Sequence, residues 1–258
     1  MPLPPIVFED EAMLVLDKPA GLPVVVEPGV KPAATLLAQV RAERDDSLIN
    51  AHRPDAEASG LVVFAKTKPA LDFLSGQFQA KTAVQIWHAF VIVQTTGENS
   101  QFWPRDAGKR VPAEFEMDWW IGRDEERPQA MKAFRRNGGQ PALTRFTVEE
   151  SFGDYVFLRC RPESNRRHQL RVHLAAAGLP VLNDELYGLP DAPLLLSNIK
   201  RGYKGGANEK PMIRQLALHA SGLTLMHPLT REPVTFEAPL PTEFAIALKN
   251  LRKFVRRR

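Results

Sequence analysis

The sequence predicts an α+β protein with a long mixed, mostly antiparallel sheet and flanking helices. Two strand–turn–strand patterns, at residues 6–16 and 141–160, place consecutive strands side by side through short turns, which is typical of antiparallel pairing. Two helical patterns, beginning at Thr35 and Thr67, carry apolar residues at a spacing of three to four. No internal repeat or clear linker divides the chain, so we predict one domain over residues 1–258.

The amino-terminal elements follow from local patterns. Ile6-Val7-Phe8 and Met13–Leu16 are apolar and flank an acidic turn, which predicts a strand pair. Asp17–Pro23 contains two prolines and a glycine, and we expect a loop there. Thr35–Arg44 begins with a capping threonine and is predicted to be a helix, and the apolar run Leu61–Ala65 predicts a buried strand.

The middle of the chain is less regular. Thr67, with a proline two residues later, predicts a helix whose apolar stripe reaches Phe78. Ala83–Thr95 is rich in Val, Ile, Trp and Phe and predicts a long strand. Residues 96–140 mix Trp, Pro, Gly and charge, so we expect an irregular elaboration over the sheet with short strands around Glu114–Ile121.

Two further helices are predicted toward the carboxyl end. Ser164 is a capping candidate for a helix through Ala177, and Gly178 follows as a stop signal. Pro241–Phe254 has an amphipathic pattern, and the Gly-rich, basic stretch Ser197–Pro211 between the two helices predicts a loop.

Composition narrows the functional classes. The charged and apolar fractions are 25% and 44%, and no apolar run approaches the roughly 20 residues that span a bilayer. The chain starts without a signal-peptide pattern, and its single cysteine, Cys160, excludes an internal disulfide and a multi-cysteine metal site. We therefore expect a cytoplasmic protein, a monomer, with no membrane partner and no metal.

Positive charge is concentrated rather than spread. The net charge is +4, and Lys and Arg gather at residues 132–136, 166–171, 200–210 and 252–258. Each cluster could be an ordinary solvated face, but four clusters together favour a polyanionic partner such as RNA.

The stretch from Ala51 to Gly60, AHRPDAEASG, is the strongest candidate for a functional site. Pro54 disfavours helical geometry before it, so Asp55 is predicted to lie in a loop beside the strand at Leu61–Ala65. Two interpretations of Asp55 are open from the residues alone: a turn-forming side chain at the strand entry, or a carboxylate that faces a cleft.

This stretch resembles the His-Arg-Leu-Asp-x-x-Thr-Ser-Gly signature of the RluA-type RNA pseudouridine synthases. Pro54 stands in place of the family's Leu and Ala58 in place of its Thr. The resemblance implies that Asp55 is the catalytic nucleophile and that Arg53 helps to hold the place of a flipped nucleotide.

Further segments resemble the same family in the same order. NRRHQLRVHL at residues 165–174 is similar to its Gly-Arg-Thr-His-Gln-Ile-Arg-Val-His-Leu, and this similarity puts the ion-pair partner of the nucleophile on Arg171. Residues 17–22, 183–188 and 218–239 resemble other family segments, and Lys18 is interpreted either as a surface lysine or as a support of the cleft. The substrate-binding candidates are Arg53, Trp87, His52, Leu170, Arg166 and His168.

The resemblance implies a pseudouridine synthase fold with a central RNA-binding cleft. It also implies an isomerase that acts on a uridine of rRNA or tRNA without a cofactor or metal. We expect no amino-terminal S4-type RNA-binding domain, although one is common in the family, because the first strand is predicted to begin at Ile6.

Two positions depart from the family in a way that bears on activity. The family's Lys-x-Tyr falls on Gln85 and Trp87, and an indole offers a face for stacking but no oxygen that accepts a proton. Two hypotheses therefore stand: an active RNA pseudouridine synthase that stacks the base on Trp87, or an RNA-binding relative with lost or weakened catalysis. A non-RNA enzyme on the same fold is a third, weaker interpretation.

Overall fold

A computed structural model describes residues 2–26, 29, 31–94, 111–189, 192–206 and 208–255 of the chain. Its fold is α+β, as predicted, and the chain forms two compact units. The first unit comprises Met1–Ile86 and His219–Pro239, and the second comprises Trp87–Leu218 and Leu240–Arg258. The part of the elaboration predicted at residues 95–110 lies outside the described residues.

The first unit is built on a sheet around a central strand. Its elements are β1 (Ile6–Glu9), β2 (Met13–Lys18), a short 3-10 turn (Pro32–Ala34), α1 (Leu36–Glu43), β3 (Ile49–Asn50), β4 (Ser59–Ala65) and α2 (Lys68–Ala80), with β10 (Leu218–Met226) and β11 (Pro233–Glu237) from later in the chain. Strand β2 pairs antiparallel with both β1 and β4. Strand β10 pairs parallel with β4 and antiparallel with β11, while β3 pairs antiparallel with the end of β4.

Both predicted helices of this unit are confirmed with their caps. The Thr35 side chain accepts a hydrogen bond from the Ala38 amide at the start of α1, and Thr67 accepts one from Ala70 at the start of α2. Apolar side chains of α1, β2, β4 and the segments that connect them form one buried core cluster: Leu14, Leu16, Val24, Leu36, Val40, Leu48, Val62 and Phe64.

The loop predicted at Asp17 begins later than expected. Strand β2 continues through Asp17 and Lys18, because these residues pair with Leu61 and Gly60 of β4. The local composition of Asp17 and Lys18 predicts a loop, but pairing with the distant strand β4 keeps both residues in the sheet.

The described residues of the second unit form an antiparallel sheet and three helices. Strand β5 (Val84–Ile92) begins in the first unit and continues here, followed by β6 (Glu114–Arg123), β7 (Met131–Phe134), β8 (Gln140–Phe152), β9 (Tyr155–Pro162), α3 (Gln169–Ala176), α4 (Leu196–Ile199) and α5 (Thr242–Phe254). The strand order is β5-β9-β8-β6-β7, and each of these pairings is antiparallel. The mostly antiparallel sheet predicted from the sequence is confirmed.

Two helices pack on this sheet through apolar contacts. Val172 of α3 forms a buried cluster with Ile121 and Ala142 of the sheet. At another place the ring of Phe244, in α5, meets the ring of Phe90 edge-on, with centroids 5.3 Å apart.

The predicted start of α3 at Ser164 is wrong. The helix begins at Gln169, and its cap residue His168 has a left-handed backbone with φ 55°. The Ser164 hydroxyl is used elsewhere: it accepts from the Leu143 amide at 3.1 Å and donates to Gln169 Oε1 at 2.8 Å.

Candidate active site

The segment that carries Asp55 is a loop between β3 and β4 in the first unit, here called the signature loop (residues 51–58). The Asp55 carbonyl accepts a hydrogen bond from the Ala58 amide at 3.2 Å, which closes a turn directly before β4. Pro54 is buried, Asp55 is half-buried and Arg53 is exposed. A loop position beside a strand, predicted from Pro54, is thus confirmed for Asp55.

Lys18 anchors the signature loop through hydrogen bonds to its backbone. Its side chain is 1% exposed, and Nζ donates to the carbonyls of Ala56 at 2.9 Å and Ala58 at 2.5 Å. A third bond reaches the Pro19 carbonyl at 3.1 Å. Of the two interpretations of Lys18, the surface lysine is therefore wrong, and the ammonium fixes the backbone just after Asp55.

The glycine that ends the signature motif is required by a close approach of two strands. Gly60 has φ +107°, and a Cβ atom there would lie 2.3 Å from the Ala220 carbonyl oxygen of β10. Next to it, the Ser59 hydroxyl contacts His219 Nδ1 at 2.9 Å. Strand β10 therefore fixes where the loop enters β4, and only glycine fits at that point.

His52 packs inside the first unit. Its ring stacks on Phe78 of α2 with centroids 4.4 Å apart, and Nδ1 is buried with no hydrogen-bond partner among the described residues. Burial lowers the pKa of His52 to about 4, against a smaller opposing effect of a hydrogen bond to the Leu61 backbone. This geometry favours a neutral packing role, and the substrate contact predicted for His52 stays a prediction.

Arg171, in the second unit, forms a buried two-point ion pair with Asp184. Its Nε and Nη2 donate to the two oxygens of Asp184, each at 2.8 Å, and the side chains are 1% and 0% exposed. Asp184 also accepts from the backbone amides of Leu186 and Tyr187 at 3.0 and 3.2 Å. The carboxylate is fixed by its own loop, so it can orient the guanidinium.

Tyr187 completes the support of Arg171. Its ring lies under the guanidinium, with Arg171 Cζ 5.3 Å from the ring centroid. Its hydroxyl accepts from the Met131 amide at 2.7 Å and contacts His168 Nδ1 at 2.8 Å. The hydroxyl already makes two contacts and the ring contacts Arg171. Tyr187 therefore supports Arg171 and does not replace the family's base-stacking tyrosine.

The start of α3 is fixed by a chain of hydrogen bonds. Gln169 Nε2 donates to the Thr144 hydroxyl at 3.0 Å, and that hydroxyl contacts His173 Nδ1 at 3.0 Å. On the other side of the ring, Nε2 of His173 contacts the Trp119 carbonyl, which can only accept, so Nε2 carries the hydrogen. Burial lowers the pKa of His173 to about 4, which keeps this ring neutral.

The remaining predicted substrate-binding residues lie in or near the second unit's sheet. Trp87 is buried on β5, opposite Cys160 of β9. Leu170 and His168 are buried at the start of α3, and the half-buried Arg166 donates from Nε to the Pro141 carbonyl at 3.2 Å. Contacts of these four side chains with a substrate stay predictions.

The described part of the chain also bears on metal binding and on membrane insertion. Its residues contain no group of three or more His, Cys, Asp or Glu side chains that could hold a metal ion. No helix within the same residues has the length and apolarity to cross a membrane.

Comparison with known proteins decides the family. A sequence model described as RNA pseudouridylate synthase matches residues 12–176, which include the signature loop and nearly all of α3. The ribosomal large subunit pseudouridine synthase D of Neisseria meningitidis serogroup A is 35% identical over 254 residues, 96% of this chain. The chain belongs to the RNA pseudouridylate synthase family.

Other members of the family are similar over most of the chain. The uncharacterized RNA pseudouridine synthase YlyB of Bacillus subtilis is 33% identical across 96% of this chain and 73% of its own length. The chain spans a smaller share, 61%, of the Neisseria protein. The solved structure of human RNA pseudouridylate synthase domain containing 4 superposes with a TM-score of 0.67 at 23% identity, covering 96% of this chain and 92% of that one, and so supports the fold.

The sequence reasoning missed one support of the site, Asp184. Asp184 lies in the segment that resembles the family's Gly-Asp-Pro-Leu-Tyr-Gly, but the sequence assigned it no partner. A buried arginine needs a carboxylate partner, so an acidic residue in a neighbouring family-like segment was a signal that could have identified Asp184.

Proposed function

We propose that this chain is an RNA pseudouridine synthase that isomerises a uridine of structured ribosomal or transfer RNA. The reaction breaks the bond between N1 of uracil and the ribose anomeric carbon and forms a bond between C5 and that carbon. The C5 proton leaves and N1 gains a proton, so the reaction is an isomerisation with no oxidant, metal or cofactor. The printed name of the Neisseria relative favours large-subunit ribosomal RNA as the first substrate to test.

In this proposal Asp55 attacks the anomeric carbon or stabilises its developing positive charge. Both roles need an ionised carboxylate at a fixed position. The turn at Ala58 and the Lys18 contacts supply the fixed position, because they tie down the backbone on the carboxyl side of Asp55.

Arg171 is the proposed ion-pair partner of Asp55. Asp184 takes two of the five N–H donors of a guanidinium, and the geometry of an arginine allows a second carboxylate on another edge. A guanidinium paired with a carboxylate favours the ionised form of that carboxylate when it loses water on substrate binding. The buried, two-point anchoring of Arg171 is the observation that carries the proposal, since a solvent-facing arginine would not be held in this way.

Trp87 keeps a second function open. An indole provides a stacking face but cannot take the proton from C5, and the ring here is 7% exposed. This observation favours an RNA-binding relative in which catalysis is lost or weakened.

One experiment separates the two functions. Unmodified, in-vitro-transcribed large-subunit ribosomal RNA is incubated with the full chain, and pseudouridine is mapped by carbodiimide labelling and primer extension. New pseudouridine at a defined position supports the synthase. RNA binding without any product, repeated with total transfer RNA, supports the binding protein. A monomeric state and a cytoplasmic location stay predictions from the sequence.

A further inference from the structure

A charged surface in the second unit is formed by residues other than those that contact Arg171. It forms where the turn after α4 meets the last turns of α5. Its members are cations and aromatic rings, and we call it the Lys200 surface: Lys200, Arg201, Tyr203, Lys204, Lys253 and Phe254.

The surface is ordered by local contacts. The Tyr203 amide donates to the Lys200 carbonyl at 3.0 Å, which closes the turn after α4. Lys200 Nζ lies 5.3 Å from the ring centroid of Tyr203 and 5.4 Å from that of Phe254. Lys253 Nζ lies 5.2 Å from the Phe254 ring, so rings and ammonium groups alternate along the surface.

The cations of the Lys200 surface lack the carboxylate partners that two other arginines of the second unit have in the described structure. Arg252 and Arg214 are neutralised by Glu150 and Glu243. Within the described residues, Lys200, Arg201, Lys204 and Lys253 form no ion pair. The local carboxylate, Glu209, instead accepts from the Ser197 amide at 2.9 Å.

The exposure of these side chains suits a macromolecular partner. Arg201, Lys204 and Lys253 are exposed, and the Tyr203 ring is 40% exposed. Uncompensated cations that protrude from a fixed scaffold match the regular negative charge of a phosphodiester backbone. The Tyr203 and Phe254 rings contact the ammonium groups of Lys200 and Lys253 and reduce their freedom, which lowers the entropic cost of a phosphate contact.

We propose that the Lys200 surface binds the phosphate backbone of the substrate RNA and adds sequence-independent affinity to the catalytic site. The partner is RNA because of the proposed function, on which this assignment rests. The proposal gives a partner to Lys200, Arg201 and Lys204, which form the first part of the charge run predicted at residues 200–210.

The test compares two double variants with the same change in charge. Arg201→Gln with Lys204→Gln removes two cations of the surface. Arg145→Gln with Arg214→Gln is the control, because these arginines are already paired with Glu163 and Glu243. Filter binding of the full chain to in-vitro-transcribed large-subunit ribosomal RNA is measured at salt concentrations from about 50 to about 200 mM.

The Lys200-surface variant should bind about tenfold more weakly at the lower salt. Its slope of log affinity against log salt should be shallower by about 1.5 to 2, because two phosphate contacts are lost. The control should change the slope by less than about half a unit. Equal slopes for wild type and the Lys200-surface variant, or no measurable binding by wild type, would overturn the proposal.

Two further outcomes separate this proposal from neighbouring ones. If wild type makes no pseudouridine but the slope falls as expected, the synthase assignment fails and the RNA surface stands. If RNA affinity is unchanged but binding to vesicles of phosphatidylserine and phosphatidylcholine is lost, the surface is membrane-directed and the RNA proposal is wrong.

Discussion

The two regions that carry the proposed catalytic pair are held in different ways. The signature loop in the first unit is held through its backbone, by Lys18 bonds to the carbonyls of Ala56 and Ala58. Arg171 in the second unit is held through a side chain, the Asp184 carboxylate. A carbonyl is present at any residue, but a carboxylate is not. The signature loop can therefore change its side chains and keep its backbone conformation, whereas the position of Arg171 depends on an acidic side chain at residue 184.

One departure from the family, Ala58, fits this difference. Ala58 replaces a threonine within the signature loop, yet its carbonyl still receives the Lys18 ammonium. Near Arg171 in the sequence, His168 and Gln169 match the family, and their side chains bind the Tyr187 hydroxyl and the Leu143 carbonyl.

The largest expected loss of stability comes from breaking the side-chain anchor. Asp184→Asn leaves a buried guanidinium without its carboxylate, and we expect the free energy of unfolding to fall by about 3–5 kcal/mol. Urea denaturation measures this change. The control is Glu163→Gln, which breaks an exposed pair with Arg145 and should cost less than about 1 kcal/mol. Equal losses in the two variants would mean that Asp184 is no anchor.

Removing the backbone anchor should cost somewhat less. Lys18→Met leaves the carbonyls of Ala56 and Ala58 without their buried donor, and we expect a loss of about 2–4 kcal/mol. Ala56→Ser keeps the carbonyl and should stay within about 0.5 kcal/mol of wild type. A loss in Ala56→Ser as large as that in Lys18→Met would show that side chains, not the backbone, hold the loop.

Acid should weaken the α3 support through His173. The pKa of this buried histidine is lowered to about 4 in the folded protein, so its contribution is present above the unfolded value near 6.5 and is lost as pH falls toward 4. Between about pH 7.5 and about pH 5, protonation of the unfolded chain should cost about 2 kcal/mol of stability. His52, with the same lowered pKa of about 4, adds to the loss with the same sign. Urea midpoints at the two pH values test this, and His173→Gln should remove its share of the difference.

The smallest effect concerns the support under the guanidinium. Tyr187→Phe keeps the ring beneath Arg171 but removes the hydroxyl that bonds the Met131 amide and His168, so about 1–2 kcal/mol should be lost. Thermal unfolding of the variant measures it. An unchanged melting temperature would assign the support to the ring alone.

Much of the fold could be predicted because its signals are local. The caps at Thr35 and Thr67, the hairpin of β8 and β9 and the last helix all follow from residues a few positions apart. The prediction that Ser164 caps α3 was wrong because it used only local residues. The Ser164 hydroxyl instead accepts a hydrogen bond from the amide of Leu143, which is 21 positions earlier.

The site was predictable in part. Asp55 and Arg171 were named from the family resemblance, and the loop position of Asp55 followed from Pro54. The supports were not predictable, because they join distant parts of the chain: Lys18 reaches Ala58 across 40 positions, and β10 meets Gly60 from residue 220. Such pairings depend on the register of strands, which local patterns do not specify.

The most direct test of the central claim is pseudouridine formation by Asp55→Asn in parallel with wild type on the same ribosomal transcript. The substitution keeps the shape of the side chain and removes its charge. We predict that product formation is abolished while the affinity for RNA stays within about twofold of wild type, a free-energy difference of about 0.4 kcal/mol. Product formed by Asp55→Asn at the wild-type rate would contradict the account, because the reaction would then proceed without the Asp55 carboxylate.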